Sequence, residues 1–266
     1  MVCNHSIKYM VKEAIGIIDA GFEGLNILFT LSKNLKHERF IYMNDIKNYP
    51  YINLSEEEVL DIIKKNIDLL IDRGIKLLIV ASDTIVEYAS EYLTTLSVPV
   101  LNIVNTLIDY VNVNYEQKNM VLFAKSEIIE ANIYQKFFKY NRLYNIPSND
   151  LEEIINQKMV KTSESFSQTL ETFKALLRKD IDVIITSSPY LINLKTEITE
   201  YLTVNEITDV GEIFANKIKD EFYNLNEKGR SSRLVISNIP KKEFMKHAYW
   251  VKEKYQYENL EVKKQK

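Results

Sequence analysis

Short apolar runs of strand length alternate with helix-period segments along almost the whole chain, and this alternation limits the fold more than any other feature. Ala14-Ile15-Gly16-Ile17-Ile18 reads as a buried strand that runs through Asp19-Ala20-Gly21-Phe22-Glu23-Gly24 into a helix over 25–35. A second short strand is expected over 40–43. Ser55-Glu56-Glu57-Glu58 has the form of a capping box, with the Ser55 hydroxyl on the third helical amide and Glu58 reaching back. The helix it opens carries Val59, Ile62, Ile63, Ile67, Leu70 and Ile71 near period 3.6 and stops at Gly74. A strand over 75–81, a helix over 84–96 and a strand over 98–104 follow. Strand–helix–strand units in succession imply parallel strands joined by right-handed crossovers.

Past residue 105 the pattern restarts. It predicts a strand over 120–124, a helix over 126–140, a loop around Pro147, a helix over 162–178 and a strand over 181–186. Helices over 189–201 and 207–224, a strand over 234–237 and a final helix over 241–255 complete the expectation. No Gly-, Pro- or Ser-rich linker separates the halves.

Composition removes several classes of function. There are 34 basic and 37 acidic side chains in 266 residues, a net charge of −3. A mildly acidic chain lacks the basic face that phosphate neutralisation requires, so direct nucleic-acid binding is not expected. No apolar run approaches the roughly 20 residues of a membrane helix, and residues 1–10 lack the apolar stretch of a secretory signal. The expected location is cytoplasmic. The lone Cys3 cannot form an intramolecular disulfide, and His5, His37 and His247 are too scattered for a His-rich metal site. No structural metal is expected. With only six glycines in the chain, those at 16, 21, 24, 74, 211 and 229 mark places where backbone geometry needs them.

Ligands of open parallel sheets bind beyond the carboxyl ends of the strands. That rule nominates residues 19–24, 82–84 and 186–189. Two glycines after a strand can aim amides at an anion, but Asp19 can equally cap a tight turn. Ser82-Asp83-Thr84 and Ser187-Ser188-Pro189 could present hydroxyls to a ligand, and both are also ordinary helix starts. A serine nucleophile needs a neighbouring base, and no histidine or G-x-S-x-G elbow falls in these loops. Hydrolysis is therefore a poor reading. Tyr49-Pro50-Tyr51 could line a pocket or form a turn of buried tyrosines.

These segments, taken together, resemble glutamate racemase, a cofactor-independent enzyme of the aspartate/glutamate racemase superfamily. The family's Asp-Ser-Gly loop is echoed by Asp19-Ala20-Gly21-Phe22-Glu23-Gly24, and its Asp…Val-Pro-Tyr-Gly by Asp45…Tyr49-Pro50-Tyr51-Ile52. Its Ala-Cys-Asn-Thr corresponds to Ala81-Ser82-Asp83-Thr84, and its Gly-Cys-Thr-His-Tyr-Pro to Thr186-Ser187-Ser188-Pro189-Tyr190-Leu191. The resemblance implies an α/β fold of two similar domains, with parallel sheets flanked by helices and the site in the cleft between them. The first domain would be 1–104 plus 210–266, the second 105–209. It implies Ser82, Ser187 and Asp19 at the catalytic positions. Asp19, Ala20, Tyr51, Ile52, Asp83, Thr84, Ser188 and Pro189 would fall at substrate-binding positions. The family's glutamate in the middle of the second half has Asp150 as its nearest candidate. A homodimer would be in keeping with the family.

The departures fall on the chemistry. In the family one thiolate removes the α-proton of the amino acid and a second thiol delivers a proton to the opposite face; both positions are serine here. A thiol titrates near 8.5 and an alcohol close to water, a gap of about 7 units or about 10 kcal/mol for forming the base. The resemblance therefore implies a racemase homologue, of an ancestry that supplies D-glutamate to peptidoglycan, with its racemisation lost. Two alternatives stay open: an altered isomerase acting on a small amino acid or dicarboxylate, and a non-enzymatic protein-binding role.

Overall fold

A computed structural model describes residues 13–222 and 224–261; Cys3 and His5 lie outside the described residues. The chain begins β1 (Ala14–Asp19), α1 (Leu25–Asn34), β2 (Arg39–Asn44), α2 (Glu56–Asp72), β3 (Ile75–Val80), α3 (Asp83–Thr94) and β4 (Val100–Asn102). It continues α4 (Ile103–Asn114), β5 (Asn119–Ala124), α5 (Ser126–Ala131), β6 (Arg142–Pro147), α6 (Asn149–Asn156), α7 (Ser163–Phe173) and β7 (Val183–Thr186). A 3₁₀ segment over Pro189–Leu194 leads to α8 (Lys195–Tyr201). The last elements are β8 (Glu206–Ile207), α9 (Val210–Glu221), β9 (Ser232–Ser237), α10 (Lys241–His247) and β10 (Gln256–Asn259).

The strands form two wholly parallel sheets, one ordered β10-β9-β2-β1-β3-β4 and the other β6-β5-β7-β8. Parallel sheets need both faces covered, and the central strands comply: every residue of β1 and β7 is buried. Two apolar clusters sandwich the six-stranded sheet. One includes Ile15, Ile17, Leu28 and Phe214; the other includes Ile18, Ile63, Ile67 and Leu78. A third, around Phe123, Ile155, Phe173 and Leu191, covers one face of the four-stranded sheet. The Ser55–Glu58 capping box is formed, and Gly74 sits at φ +73°, the left-handed geometry that ends α2.

Several elements differ from expectation, each for a local reason. The strand expected over 98–104 has three residues, because the Asn102 side chain accepts from Asn105 N (2.8 Å) and starts α4 at once. The helix expected over 126–140 ends at Ala131, where Asn132 turns left-handed at φ +55°. The loop expected around Pro147 is the end of β6, an edge strand on which a missing N–H costs no ladder bond. Asp209 caps α9 rather than lying inside it, accepting from Gly211 N and Glu212 N at 3.0 and 3.3 Å. The helix expected over 241–255 stops at His247, and the chain returns as β10, the edge of the first sheet.

Candidate functional site

The carboxyl ends of the two sheets face each other, and the nominated loops meet there. Asp19 ends β1. Its Oδ1 accepts from Gly21 N (3.2 Å), and its Oδ2 from Gly24 N (2.8 Å) and the Tyr42 hydroxyl (2.7 Å). Asn44 Nδ2 adds a bond to Gly21 O (2.9 Å). The two glycines thus serve a turn built around Asp19. A Cβ on Gly24 would lie 2.7 Å from the Ala81 Cβ and 3.0 Å from Asp19 Oδ2, so only glycine fits. Burial, and next the charge of Glu23, raise the Asp19 carboxyl to about 6 against the pull of these hydrogen bonds.

Ser82 follows β3 and caps α3, its Oγ accepting from Ile85 N at 3.4 Å. Asp83 opens that helix, with Oδ1 accepting from Thr84 N (2.9 Å). Burial, then Glu23 and Glu152, push its carboxyl to about 7, and Lys125 pulls the other way. Across the cleft, Thr186 is held in the sheet by Thr208, Thr186 Oγ1 donating to Thr208 O at 2.8 Å. Ser187 N donates to Phe123 O (3.1 Å). Ser187 and Ser188 are both buried, and Ser188 Oγ has no hydrogen-bond partner among the described residues. The carbonyl of Pro189 accepts from Asn26 Nδ2 of α1 (3.1 Å), tying the two halves together.

The centre of the cleft is taken by a side chain that the strand-end rule, applied to three loops, left out. Lys125 follows β5, and its Nζ lies 2.8 Å from Glu23 Oε1, 2.9 Å from the Tyr49 hydroxyl and 3.4 Å from Glu152 Oε2. Glu152, on α6, also accepts from Ser148 Oγ (2.6 Å) and from the Tyr190 hydroxyl (2.9 Å). Burial disfavours the Lys125 charge, but Glu23 and Glu152 outweigh it and hold the ammonium well above the usual lysine range. The Glu152 carboxyl is raised to about 7, by burial first, with Lys125 opposing and Glu23 adding to it.

Of the other expected residues, Ala20 and Tyr51 are buried and Thr84 is half-buried. Tyr51 packs edge-on against Tyr49 (5.8 Å). Ile52 is not brought in: its side chain is 81% exposed. His37 Nδ1 lies 2.8 Å from Gly229 O and His247 stacks on Phe22 (4.9 Å), so both imidazoles are engaged elsewhere. Surface clefts of 220–500 Å³ open at other places, between α4 and α9, between α3 and β4, and against Trp250. Among the described residues no set of three or more His, Cys, Asp and Glu is arranged to hold a metal. No described helix is long and apolar enough to cross a membrane.

No family model matches the chain. A glutamate racemase of Clostridium acetobutylicum is 26% identical over 232 residues, 84% of this chain and 91% of that protein. One of Listeria innocua is 35% identical over 95 residues, 35% of this chain and 36% of that one. Among solved structures, glutamate racemase from Thermus thermophilus in complex with β-chloro-D-alanine superposes with a TM-score of 0.82 at 19% identity, covering 94% of this chain and 97% of that one. The Francisella tularensis enzyme in complex with D-glutamate gives 0.79 at 21% identity, covering 94% and 97%. The chain is a homologue of the glutamate racemases. Their α/β fold of parallel sheets flanked by helices extends over nearly its whole length.

Within this racemase fold, Asp150 is exposed and its carboxylate accepts from Gln168 (3.3 Å); the carboxylate from this region that reaches the cleft is Glu152, two residues further along α6. Glu152 and Lys125 carry no motif. Extending the strand-end rule to β5 and β6 nominates Lys125 directly and Ser148, whose hydroxyl holds Glu152.

Proposed function

We propose that this chain keeps the racemase architecture without the two-thiol proton transfer, and that its glutamate racemisation is absent or negligible. The observation that carries this reading is the state of the two strand ends. Ser82 and Ser187 bring hydroxyls where the resemblance calls for thiols, and the Ser82 Oγ already serves as a helix cap. General-base catalysis works best with a pKa near ambient pH, and an alcohol lies about 7 units too high. The surroundings make this worse, because Glu23, Asp83 and Glu152 oppose formation of an alkoxide and oppose the two carboxylates of glutamate. Asp19, whose oxygens both bind the loop, is a support for the β1–α1 turn and not a free base. Glu152 replaces Asp150 as the counterpart of the family's second-half glutamate. The division into 1–104 plus 210–266 and 105–209 follows the two sheets, and a cytoplasmic setting and descent from an enzyme of peptidoglycan supply remain part of this reading.

One observation favours a second reading, an altered isomerase. Asp83 and Glu152 come from opposite sheets and both titrate near 7, the range suited to acid–base work on a different carbon acid.

Incubation with L- and D-glutamate and then aspartate in D₂O, following loss of the Cα–H signal by NMR, separates the cases. The expected result is no exchange by the unaltered chain, and Ser82→Cys/Ser187→Cys reports whether thiols alone restore it. Exchange by the unaltered chain overturns the principal reading. Exchange abolished by Asp83→Asn or Glu152→Gln would establish the second.

A further inference from the structure

The site described above is full, and what fills it belongs to the chain itself. Lys125 arrives from the second sheet. Two of its partners, Glu23 and Tyr49, belong to loops of the first sheet; the third, Glu152, comes from its own side. The ammonium therefore has three oxygen partners arranged around it, which is how a protein receives a primary ammonium ion from outside. Ser188 Oγ and the Tyr134 hydroxyl, whose electrostatic neighbour is Asp83, are buried and have no hydrogen-bond partner among the described residues.

Resting on the reading that glutamate racemisation is lost, we propose that Lys125 is a built-in occupant of a cation site formed by Glu23, Tyr49 and Glu152, and that the ligand this site takes when Lys125 is withdrawn is a primary ammonium and not a dicarboxylate. The charge count supports the ligand class. Glu23 and Glu152 flank the lysine and Asp83 feels its charge, so the two carboxylates of a dicarboxylate enter against repulsion, whereas an alkylammonium replaces like with like. The geometry supports the occupancy. Lys125 crosses from one sheet's loops to the other's, so parting the two halves draws its ammonium off Glu23 and Tyr49 and exposes both. While it is in place, an outside amine competes with a tethered one at high effective concentration, which weakens its binding by about a hundredfold or more.

The test uses the full chain. Thermal unfolding is followed for the unaltered protein and for Lys125→Ala in rising ethylammonium chloride, with tetramethylammonium chloride and sodium glutarate as controls. Ligand that binds only the folded state raises the melting temperature saturably. The expected result is a saturable rise of several degrees for Lys125→Ala with ethylammonium alone, and no rise for the unaltered chain over the same range. Stabilisation of either protein by glutarate, or an ethylammonium effect on Lys125→Ala no larger than that of tetramethylammonium, overturns the proposal. Should Lys125→Ala fail to fold, Glu23→Gln removes one charge from the same contact. Amide hydrogen exchange in residues 19–24 and 148–152 is then expected to quicken while β1 stays protected, and unchanged exchange in those segments overturns the proposal. Exchange of the glutamate α-proton by the unaltered chain would instead remove the reading on which the proposal rests, and the amine titration is judged by its own result.

Discussion

Replacing Lys125 by Met keeps the aliphatic stem and removes the ammonium, leaving Glu23 and Glu152 facing each other. The side chains are 18%, 14% and 6% exposed for Lys125, Glu23 and Glu152, so solvent screens them little. Breaking a buried pair by deleting one partner costs about 3–5 kcal/mol. That figure applies only while the carboxylates stay charged. Glu152 sits at about 7 even with Lys125 lowering it, and without Lys125 it rises further. A carboxyl whose folded pKa lies above its unfolded value binds a proton more tightly when folded. Its stabilising contribution is present at low pH and lost as pH rises through the folded pKa. At about pH 5.5 Glu152 is protonated in both proteins, and the loss reduces to the contacts of the ammonium with Glu23 and the Tyr49 hydroxyl, about 1–2 kcal/mol. At about pH 8.5 the variant must either keep a proton against the solution or hold two unpaired charges, and the loss is about 4 kcal/mol. The difference, about 2–3 kcal/mol, corresponds to about two pKa units at 1.36 kcal/mol each. Urea unfolding read by the single tryptophan, Trp250, which packs 6.3 Å from Tyr190, measures both values. An equal loss at the two pH values, or a variant as stable as the unaltered chain at the higher one, would refute the reasoning.

The unaltered chain should itself lose stability as pH rises from about 5 to about 8. Asp19 and Asp45 are raised to about 6 and Asp83 and Glu152 to about 7, all by burial first, so the folded state holds protons that the unfolded state releases; denaturant midpoints across that range check the sign. Gly24→Ala forces a methyl to within 2.7 Å of the Ala81 Cβ, and calorimetry should register an overpacking cost of about 1–3 kcal/mol. Glu38→Gln leaves the shielded Lys76 ammonium without its carboxylate (2.9 Å) and weakens the bond from Asn226 Nδ2 (2.6 Å). A loss of about 3 kcal/mol in urea titration, with faster amide exchange over 224–231, is expected.

Much of the fold was legible because its signals are local. The Ser55 box, the left-handed Gly74 and the apolar run of β1 up to Asp19 each announce themselves within a few residues. What the chain text hid was governed by contacts distant in sequence or by a single polar cap. The residues before β10 read as the end of an amphipathic helix and β10 itself gives no signal until it meets β9, while the first two residues of α4 read as a continuing strand until Asn102 caps it and the rest of that helix is missed. The site divides in the same way. The loops at Asp19, Ser82 and Ser187 were found by the strand-end rule, and Ile52 was placed in the site by resemblance although its backbone turns it outward. Lys125 and Glu152 escaped because one lysine and one glutamate are common anywhere; only the meeting of two sheets makes them a pair.

The strand order of the first sheet has a consequence for the order of synthesis. β5 to β8 lie together in the chain, so the four-stranded sheet has all its strands once residue 207 has emerged. β2, in contrast, pairs on one side with β1 but waits on the other for β9, which is made nearly at the end. Throughout that interval its edge of amides and carbonyls is open to strand addition by another chain. The closing segment, β9 with β10 outside it, therefore also ends the period in which the nascent protein is most prone to aggregate. A ribosome-bound chain truncated before residue 232 should be the species that chaperones hold longest.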